Sequence, residues 1–450
     1  MIQTIDLRGT RPTPSELLAA VPRALTDVAV ASDVAAELIN DVRARGEAAL
    51  LDQAERLDRV RPDHVRVAAS DIAEALAGLE PAVRTAIEET IRRVRLASAA
   101  QVPPRFTTTI ADGAEITQRW QPINRVGLYV PGGKAIYPSS VVMNVVPAQV
   151  AGVSSIALAS PPQSNFSGRV HPTILAVAGL LGVDEIYAMG GAGAIGAFAY
   201  GVPGIGLDPV QIVTGPGNVF VAAAKRLVRG EVGIDAEAGP TDILIIADDA
   251  ADPLLVAADL VSQAEHDELA AAVLVTDSLA LAHAVSARLI ELAVSTTHSD
   301  RVTAALNGQQ SAIVLVDNLA VAAAFSNAFG PEHLEIQTSE PDAVLRAIEN
   351  AGAIFIGPNS PVSLGDYAAG SNHVLPTGGQ ARFSSGLGAY TFLRPQQVVR
   401  YSRDALRAVA DHIVALSGAE ALPAHGDAVT ARFVLPVRNT RASPEPGAIG

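Results

Sequence analysis

The stretch R-V-G-L-Y-V-P-G-G at residues 125–133 introduces the pattern that decides the fold. Its apolar run Val126–Val130 is typical of a buried strand, and a Pro-Gly-Gly turn ends that strand. The residues that follow predict a helix from Ser139 to about Val150 and a second strand at Ser155–Ala159. Strands that alternate with helices in this way pair in parallel, so the stretch predicts a parallel sheet with helices on both faces.

The alternation continues to Arg229 and begins again after the break at Gly239-Pro240, which predicts a second sheet. The strands predicted for that sheet are Asp242–Ala247, Ala272–Thr276, Ala312–Val316, Leu334–Gln337 and Ala353–Ile356. Helical patterns around Asp33–Arg59 and Ala69–Ala100 are expected to pack onto one of the sheets, and residues 1–20 form a short arm. The fold class is therefore α/β, with two parallel sheets.

The last part of the chain is less regular. Residues Gly357–Gly388 show almost no periodicity and are dense in glycine, proline, serine and asparagine. A stretch of that length without secondary structure is usually functional or disordered. A helix is predicted at Arg403–Ser417, and a short tail follows it.

The composition limits the partners and the compartment. A chain of 450 residues is long enough for two or more domains, and its net charge of −15 argues against nucleic acid or an anionic membrane as a partner. The first residues lack the basic and apolar plan of a signal peptide, and no apolar run reaches the length of a membrane span. We therefore expect a cytoplasmic protein.

The chain contains no cysteine. This excludes disulfides, thiolate nucleophiles, iron–sulfur clusters and cysteine zinc sites. Any metal must be held by His, Asp, Glu, Gln or backbone groups. Any oxidation of an aldehyde must proceed without a thiohemiacetal.

The string S-Q-A-E-H-D-E at residues 262–268 lies at the polar end of an apolar helix that Asp252 can cap. Gln263 and His266 are three residues apart and stand on the same side of that helix. An amide oxygen and an imidazole nitrogen presented together form half of a site for a metal such as zinc. The alternative is a solvated helix end with a histidine near the negative end of the helix dipole.

Two glycine turns are candidates for binding a nucleotide. Gly191, Gly193 and Gly196 match G-x-G-x-x-G between a strand and a helix, which suits a pyrophosphate at the helix N-terminus. The next strand does not end in the Asp or Glu that would bind a ribose hydroxyl. The turn at residues 215–218, G-P-G-N, is a second candidate of equal rank.

Four of the nine histidines lie among turns or polar clusters, namely His266, His333, His373 and His425. The other five are interpreted as structural or solvated. Glu332 and His333 follow the turn Gly330-Pro331, and at a junction of turn and strand both side chains can reach one cleft. A carboxylate beside an imidazole supplies a base for water and a second proton carrier.

Seven strings of the chain, in order and spread over nearly its whole length, resemble histidinol dehydrogenase. They are V-G-L-Y-V-P-G-G (126–133), T-G-P-G-N (214–218), I-D-A-E-A-G-P-T (234–241), S-Q-A-E-H-D-E (262–268), G-P-E-H-L-E-I (330–336), S-L-G-D-Y-A-A-G-S-N-H-V-L-P-T (363–377) and E-A-L-P-A-H-G-D-A-V (420–429). The resemblance implies a four-electron oxidation of L-histidinol to L-histidine through the aldehyde, with two NAD and one zinc ion.

The resemblance also implies roles for residues. The zinc ligands would be Gln263, His266, Asp366 and His425, with the last two positions taken by the amine and imidazole of the substrate. Glu332 would activate water and His333 would carry protons. The substrate pocket would be lined by Thr241, Gln263, His266, His333, Asp366, Glu420 and His425, and His373 would lie nearby.

On the cofactor side the resemblance implies that Tyr129, Asn218 and position 193 contact NAD. Where the family reads G-G-A-Q-A, residues 190–194 read G-G-A-G-A, so the glutamine of the family is replaced by Gly193. This departure bears on the affinity for the nucleotide rather than on the hydride chemistry. The choice between NAD and NADP stays open.

The resemblance further implies an aldehyde-dehydrogenase-like architecture of two Rossmann-like domains, with an N-terminal arm and a C-terminal helical extension. Residues 21–110 and 236–381 would form the domain with the metal and catalytic residues, and residues 111–235 the NAD domain. Residues 382–450 would be exchanged in a homodimer, so that His425 and Glu420 complete the site of the other subunit.

Two alternative functions stay open. One is a related zinc and NAD dehydrogenase that acts on another small amino or sulfonated alcohol. The other is a catalytically silent zinc-binding relative, against which the intact Glu332–His333 pair and the four metal ligands argue.

Overall fold

The structure is a computed structural model that describes residues 2–24, 28–132, 136–237 and 239–434. Its contacts divide the chain into two units, residues 1–102 with 122–393 and residues 103–121 with 394–450. Gly133 of the first string and residues 435–450 of the expected extension lie outside the described residues. None of the helices in the described ranges combines the length and apolar character needed to cross a membrane.

Strands and helices alternate along most of the chain. The strands are β1 (Gln3–Asp6), β2 (Phe106–Ala111), β3 (Ala114–Pro122), β4 (Arg125–Tyr129), β5 (Ser155–Ser160), β6 (Ile186–Ala188), β7 (Ile212–Thr214), β8 (Gly233–Ile234), β9 (Asp242–Ala247), β10 (Ala271–Thr276), β11 (Ala312–Leu315), β12 (His333–Gln337), β13 (Ala353–Ile356) and β14 (Leu393–Tyr401). The helices are α1 (Pro14–Ala20), α2 (Val28–Arg45), α3 (Glu47–Gln53), α4 (Ala69–Ala77), α5 (Pro81–Ala100), α6 (Pro138–Ala151), α7 (Pro172–Leu180), α8 (Gly191–Tyr200), α9 (Val219–Val228), α10 (Pro253–Ala264), α11 (Leu279–Ser295), α12 (Ser299–Asn307), α13 (Leu319–Phe329), α14 (Pro341–Leu345), α15 (Val362–Tyr367), α16 (Arg403–Ala419) and α17 (Pro423–Val434). A π-helical turn, Ala54–Asp58, continues α3.

The first unit contains a five-stranded sheet in the order β6-β5-β4-β7-β8, with each pair of neighbours parallel. Counted along the chain this order is 3-2-1-4-5, the arrangement of a Rossmann sheet. Helices α8 and α9 cover one face, and α6 lies against β4 and packs on α7. The predicted first parallel sheet is confirmed.

The same unit contains a six-stranded sheet in the order β1-β11-β10-β9-β12-β13, also parallel throughout. Alternate residues of β9 enter two different cores. Ile243 and Ile245 pack with α10, α11 and α12, whereas Leu244 and Ile246 pack with α1, α13 and α14. Burial on both faces explains why β9 is an unbroken apolar run after its first residue. The second sheet is also as predicted, apart from β1, which was expected to be part of a short arm.

Helices α2 to α5 pack on the five-stranded sheet's side of the unit, whereas α1 packs on α13 of the six-stranded sheet. Helix α2 contacts α8 and α9, and α4 and α5 contact α7 and α6. The apolar stripe of α2, including Ala35, Leu38 and Ile39, shares a core with Tyr129 and Phe198. The expected grouping of residues 21–110 with residues 236–381 into one domain stays a prediction. The stripe of α2 is complementary to the Ala- and Gly-rich helix α8, which permits a close approach.

The second unit consists of a three-stranded sheet in the order β14-β3-β2 and the helix pair α16 and α17. Strands β2 and β3 form an antiparallel hairpin. This sheet was not predicted, because β2 is exposed along its whole length and shows no apolar alternation. Only a short tail was predicted where α17 forms. In residues 357–388, which the structure describes completely, α15 and one 3₁₀ turn are the only helical segments.

Candidate functional site

Glu332 and His333, the residues expected to be catalytic, lie at the amino edge of the six-stranded sheet. Glu332 immediately precedes β12, and Thr241 immediately precedes the neighbouring parallel strand β9. Gln263 is in the last turn of α10, which runs antiparallel to the strands and so ends at the same edge. Gly330 ends α13 with a φ of +58°, a conformation that suits glycine, and directs the chain into the edge.

Glu332 is held by its neighbours at that edge. The hydroxyl of Thr241 donates to Oε2 of Glu332 at 2.5 Å, and the backbone N–H of Asp242 donates to the same oxygen at 3.1 Å. The N–H of Glu332 in turn donates to Oδ1 of Asp242 at 2.8 Å. Both side-chain hydrogen bonds use Oε2, so Oε1 is the oxygen left to contact water or substrate.

The surroundings of Glu332 make its carboxyl group a weaker acid than usual. Its burial, and in second place the charge of Asp242, raise the pKa of Glu332 to about 8, and the Thr241 hydrogen bond opposes this shift. A carboxyl group with a pKa in this range can both release and accept a proton under physiological conditions. This property fits the expected role of Glu332.

His333 is buried next to Glu332, and a hydrogen bond from one of its ring nitrogens fixes the orientation of the ring. Its Nδ1 lies 3.1 Å from the carbonyl oxygen of Asp242, which assigns the proton to Nδ1 and leaves the lone pair on Nε2. Burial lowers the pKa of His333, with the charge of Asp366 acting in the opposite direction. A neutral imidazole with a free Nε2 lone pair can accept a proton from an alcohol.

Asp242 connects these groups, and sequence reasoning missed it. Its backbone contacts both Glu332 and His333, and its carboxylate accepts from the N–H of Glu332 and forms an ion pair with Arg23. The Arg23 guanidinium also lies 3.9 Å from the centre of the Phe329 ring and donates to the Phe329 carbonyl oxygen. The only available signal was the position of Asp242 beside Thr241 in the string that ends at residue 241.

One oxygen of Gln263 lacks a partner in the part of the chain that the structure describes. Its Nε2 donates to the hydroxyl of Thr241 at 2.6 Å, which extends the hydrogen-bonded chain to Glu332. Its Oε1 is buried and accepts no hydrogen bond from the described residues. A buried acceptor without a donor is rare in proteins and is satisfied when a cation or a ligand donor occupies the adjacent space.

His266 is oriented in a similar way at the end of α10. Its Nδ1 lies 3.2 Å from the carbonyl oxygen of Ser262, so Nε2 carries the lone pair that a metal would require. The charge of His266 acts on the pKa values of Glu332 and His373, which brings these groups into one electrostatic cluster. The fixed tautomer supports the interpretation as a ligand over that of a solvated helix end.

Asp366 lies in α15 and is coupled to two histidines. Its charge acts on the pKa values of His333 and His373, and its carbonyl oxygen lies 3.0 Å from Nδ1 of His373. Nε2 of His373 lies 2.9 Å from the hydroxyl of Ser140 in α6. Both nitrogens of His373 are therefore used, and this residue positions Asp366 rather than presenting a lone pair of its own.

Glu420 and His425 belong to the second unit. Glu420 follows α16 and His425 is in the first turn of α17, and both side chains are exposed. No group of three His, Asp or Glu side chains that could hold a metal occurs within the described ranges of the single chain. Of the four expected metal ligands, only His266 and Asp366 are His, Asp or Glu residues of the first unit. The set of four therefore stays a prediction.

The residues expected to contact NAD lie at the carboxyl edge of the five-stranded sheet. Tyr129 ends β4, and its hydroxyl accepts a hydrogen bond from the N–H of Gly191 at 3.1 Å. Asn218 follows β7 and caps α9, with its side-chain oxygen accepting from the N–H groups of Phe220 and Val221. The Asn218 amide nitrogen remains as the donor that a cofactor could use.

A buried ion pair holds the glycine turn after β7. Lys225 and Asp235 form this pair, and they also bind the carbonyl oxygen and the N–H of Gly215. A methyl group added at Gly215 would lie only 2.0 Å from the carbonyl oxygen of Tyr129, so only glycine fits. Sequence reasoning missed Lys225 and Asp235.

Gly193 is buried inside the interface of α8 and α3. A methyl group at this position would lie 2.1 Å from Oε1 of Gln53, whose Nε2 donates to the carbonyl oxygen of Leu38. The side chain of Gln53 therefore fills the space that a residue 193 side chain would enter. Gly193 can contact a cofactor only through its backbone, and its role there stays a prediction.

Comparison with known proteins agrees with the expected family. The family model described as Histidinol dehydrogenase matches residues 21–433. The chain is 68% identical to Histidinol dehydrogenase of Leifsonia xyli subsp. xyli over 96% of this chain and 99% of that protein. It is 57% identical to Histidinol dehydrogenase of Thermobifida fusca over 96% and 98% of the two chains.

A solved structure gives the same result for the fold. The crystal structure of Histidinol Dehydrogenase from Elizabethkingia anophelis superposes with a TM-score of 0.90 at 31% identity. The match covers 96% of this chain and 98% of that chain. Both the sequence and the fold of the protein thus agree with the resemblance of its seven strings, and the chain belongs to the histidinol dehydrogenase family.

Proposed function

We propose that the chain is a zinc-dependent, NAD-linked dehydrogenase that oxidises L-histidinol to L-histidine through L-histidinal, in the last steps of histidine biosynthesis. The observation that carries this proposal is the buried pair of Glu332 and His333 beside the unpartnered Oε1 of Gln263. Family membership supplies the substrate and the reaction class.

The residues present fit a zinc ion. Gln263 offers a buried oxygen without a donor, and His266 offers Nε2 because its Nδ1 is already bonded. Asp366 supplies a carboxylate from the same unit, and His425 of the partner subunit would complete the set. Such a nitrogen and oxygen ligand set suits zinc in a chain without cysteine. When bound, the ion would act as a Lewis acid that orients the amine and imidazole of the substrate.

The first oxidation needs a base for the alcohol proton. His333 is neutral, and its Nε2 lone pair accepts the proton from the hydroxyl oxygen while a hydride leaves the carbon that bears this oxygen. NAD, when bound, is the hydride acceptor. The resulting aldehyde has no thiol to attack it, because the chain contains no cysteine.

The second oxidation therefore needs water. In its ionised form Glu332 takes a proton from water through Oε1, while Thr241 and the N–H of Asp242 hold Oε2. Attack of this water on the aldehyde gives a gem-diol, which loses a second hydride and a proton to form the carboxylic acid. The sum of both steps is one alcohol, one water and two NAD⁺ giving one carboxylate, two NADH and three protons.

We further propose a cytoplasmic homodimer with exchanged C-terminal segments. Glu420 and His425 are exposed in the single chain, which leaves both side chains available to a partner subunit and supports this arrangement. An enzyme truncated after Leu416 should then fold but lose activity. A truncated enzyme that still oxidised histidinol would contradict the exchange.

One assay separates this function from its alternatives. NADH formation is measured with L-histidinol, with other small amino or sulfonated alcohols, and after chelation followed by zinc. We expect two NADH for each histidinol consumed, loss of activity with chelator and recovery with zinc. Turnover of another alcohol in place of histidinol would indicate a related dehydrogenase, and silence with every alcohol a catalytically inactive relative.

A further inference from the structure

An acidic side chain from the N-terminal helices reaches the carboxyl edge of the five-stranded sheet. Asp58 is the last residue of the π-helical turn Ala54–Asp58, a rare conformation that is frequent at functional sites. A methyl group added at Gly190 would lie 3.5 Å from Oδ2 of Asp58 and 3.0 Å from Cβ of Pro161. Asp58, Gly190 and Pro161 therefore meet at one point of this edge.

The carboxylate of Asp58 has no donor within the described residues. No hydrogen bond or ion pair to it occurs there, although the side chain is half-buried. Burial alone raises the pKa of Asp58 to about 6. Burial and, to a smaller extent, the charge of Asp58 also raise the pKa of Tyr129, the residue expected to contact NAD. A partly desolvated carboxylate costs free energy until a donor pairs with it.

The position of Asp58 in the sheet topology indicates that its donors would be the ribose hydroxyls of a dinucleotide. In a Rossmann sheet the acidic residue that binds the ribose hydroxyls of the adenosine half follows the second strand. The second strand of this sheet along the chain is β5, which ends at Ser160 and is followed by Pro161 and Pro162. Neither proline can take this role. Asp58 stands beside Pro161, so a distant segment supplies the missing carboxylate at that place.

We propose that Asp58 is the residue that makes this enzyme specific for NAD. Its carboxylate accepts hydrogen bonds from the 2′- and 3′-hydroxyls of the adenosine ribose, and its charge repels the 2′-phosphate of NADP. The inference rests on the NAD-linked function proposed above. Asp58, from a helical turn outside the sheet, would thus supply the carboxylate that is missing after β5.

The test measures dinucleotide binding by isothermal titration calorimetry on the full-length enzyme. Wild type, Asp58→Asn and Asp58→Ser are titrated with NAD and with NADP, and the exposed Asp63→Asn serves as the control for loss of one charge nearby. We expect the Kd for NAD to rise about tenfold to a hundredfold in both Asp58 variants, as for loss of hydrogen bonds to a charged group. The preference for NAD over NADP should fall by at least that factor, and Asp63→Asn should match wild type.

A kinetic readout separates binding from chemistry. In the Asp58 variants the KM for NAD should rise while kcat at saturating NAD stays within about twofold of wild type, because Asp58 lies at the adenosine end. Thermal unfolding of the variants is measured in parallel to show that they fold. The use of both Asn and Ser keeps the test valid if one of them folds poorly.

Three outcomes distinguish the two proposals. A wild type that binds NAD, with Asp58 variants that bind it equally well and keep the same preference, would overturn the role of Asp58 and leave the NAD-linked function intact. A wild type that binds neither dinucleotide would overturn the NAD-linked function and with it this inference. Weaker NAD binding confined to the Asp58 variants would support both.

Discussion

The two parallel sheets carry the residues proposed for cofactor binding and for catalysis at opposite edges. The five-stranded sheet presents Tyr129 and Asn218 at the carboxyl ends of its strands, where helix N-termini and glycine turns lie. The six-stranded sheet presents Thr241 and Glu332 at the amino ends of its strands, where the C-terminus of α10 lies. Helix N-termini favour phosphate and helix C-termini favour cations. The difference therefore matches a dinucleotide at one edge and a metal ion with its imidazoles at the other.

The two edges also differ in how they are held together. At the amino edge, Gln263, Thr241 and Glu332 form a chain of side-chain hydrogen bonds between a helix and two strand starts. At the carboxyl edge, the ion pair of Lys225 and Asp235 binds the backbone of a glycine turn. Proton transfer is the role proposed for the first arrangement, whereas the second fixes the shape of a loop. Substitutions at the two edges should thus have different signatures.

The largest effect is expected at the amino edge, from Glu332→Gln. The amide keeps the shape of the side chain but cannot take a proton from water, so kcat for formation of histidine should fall about 10²- to 10⁴-fold. Binding of NAD and zinc should stay near wild type. Steady-state NADH formation and calorimetry check both statements, with the exposed Glu340→Gln as the matched control. A Glu332→Gln enzyme with activity near that of wild type would remove Glu332 from the mechanism.

At the carboxyl edge of the five-stranded sheet, Lys225→Met should cause the largest loss of stability. Lys225 is 1% exposed, and its loss leaves the charge of Asp235 buried without a partner. The free energy of unfolding should fall by about 3–5 kcal/mol. The neighbouring substitution Arg226→Met removes an exposed ion pair with Glu237 and should cost less than about 1 kcal/mol. Denaturant unfolding measures both, and equal losses for the two variants would refute the structural role of the Lys225 pair.

Because of Glu332, the amino edge should also make the free energy of unfolding depend on pH. The folded protein keeps the proton of Glu332 up to a pKa of about 8, whereas the unfolded chain releases it near the ordinary carboxyl value of 4.5. Between these values the folded state binds more protons, so this group lowers the free energy of unfolding as the pH rises, with no further change above about 8.

The variant Glu332→Gln has no such proton to lose. In metal-free protein its melting temperature relative to wild type should therefore rise steadily from about pH 5 to about pH 8. Thermal unfolding at several pH values measures this difference. A difference that is independent of pH would show that Glu332 titrates normally in the folded protein.

The smallest effect is expected for Gly193→Ala beside the carboxyl edge. The added methyl group displaces Gln53 and breaks its hydrogen bond to Leu38, at a cost of about 1 kcal/mol. In a Gln53→Ala background the same substitution should cost less, because the clash is gone. Gly204→Ala, which meets no atom within 4 Å, is the control. If Gly193→Ala cost as much with Ala at position 53 as with Gln, Gln53 would not be what fills that space.

The regular parts of the fold were predictable from the sequence because their burial is uniform. The bounds of β9 were predicted without error, since both faces of that strand are covered and its residues after Asp242 are all apolar. Strand β2 was missed because it is exposed, and β1 because four residues give too little periodicity. The placement of α2 depends on the small residues of α8, which a local pattern does not reveal.

The candidate site was predictable where neighbours in sequence are neighbours in space. Glu332 and His333 follow one turn, and Gln263 and His266 share one helix end. Asp242, Arg23 and Asp58 were not found, because the groups that each of them meets belong to segments far away in the chain. Their significance depends on which strands become neighbours, and this is decided only when the whole sheet forms.

The central claim is that the amino edge of the six-stranded sheet binds the catalytic metal. Anomalous diffraction at the zinc absorption edge, from crystals of the full-length enzyme grown with L-histidinol, tests it most directly. We predict one strong peak per subunit, about 2.0–2.2 Å from Oε1 of Gln263, Nε2 of His266 and the carboxylate of Asp366. A peak bound by other residues, or no peak in enzyme that zinc restores to full activity, would contradict this claim.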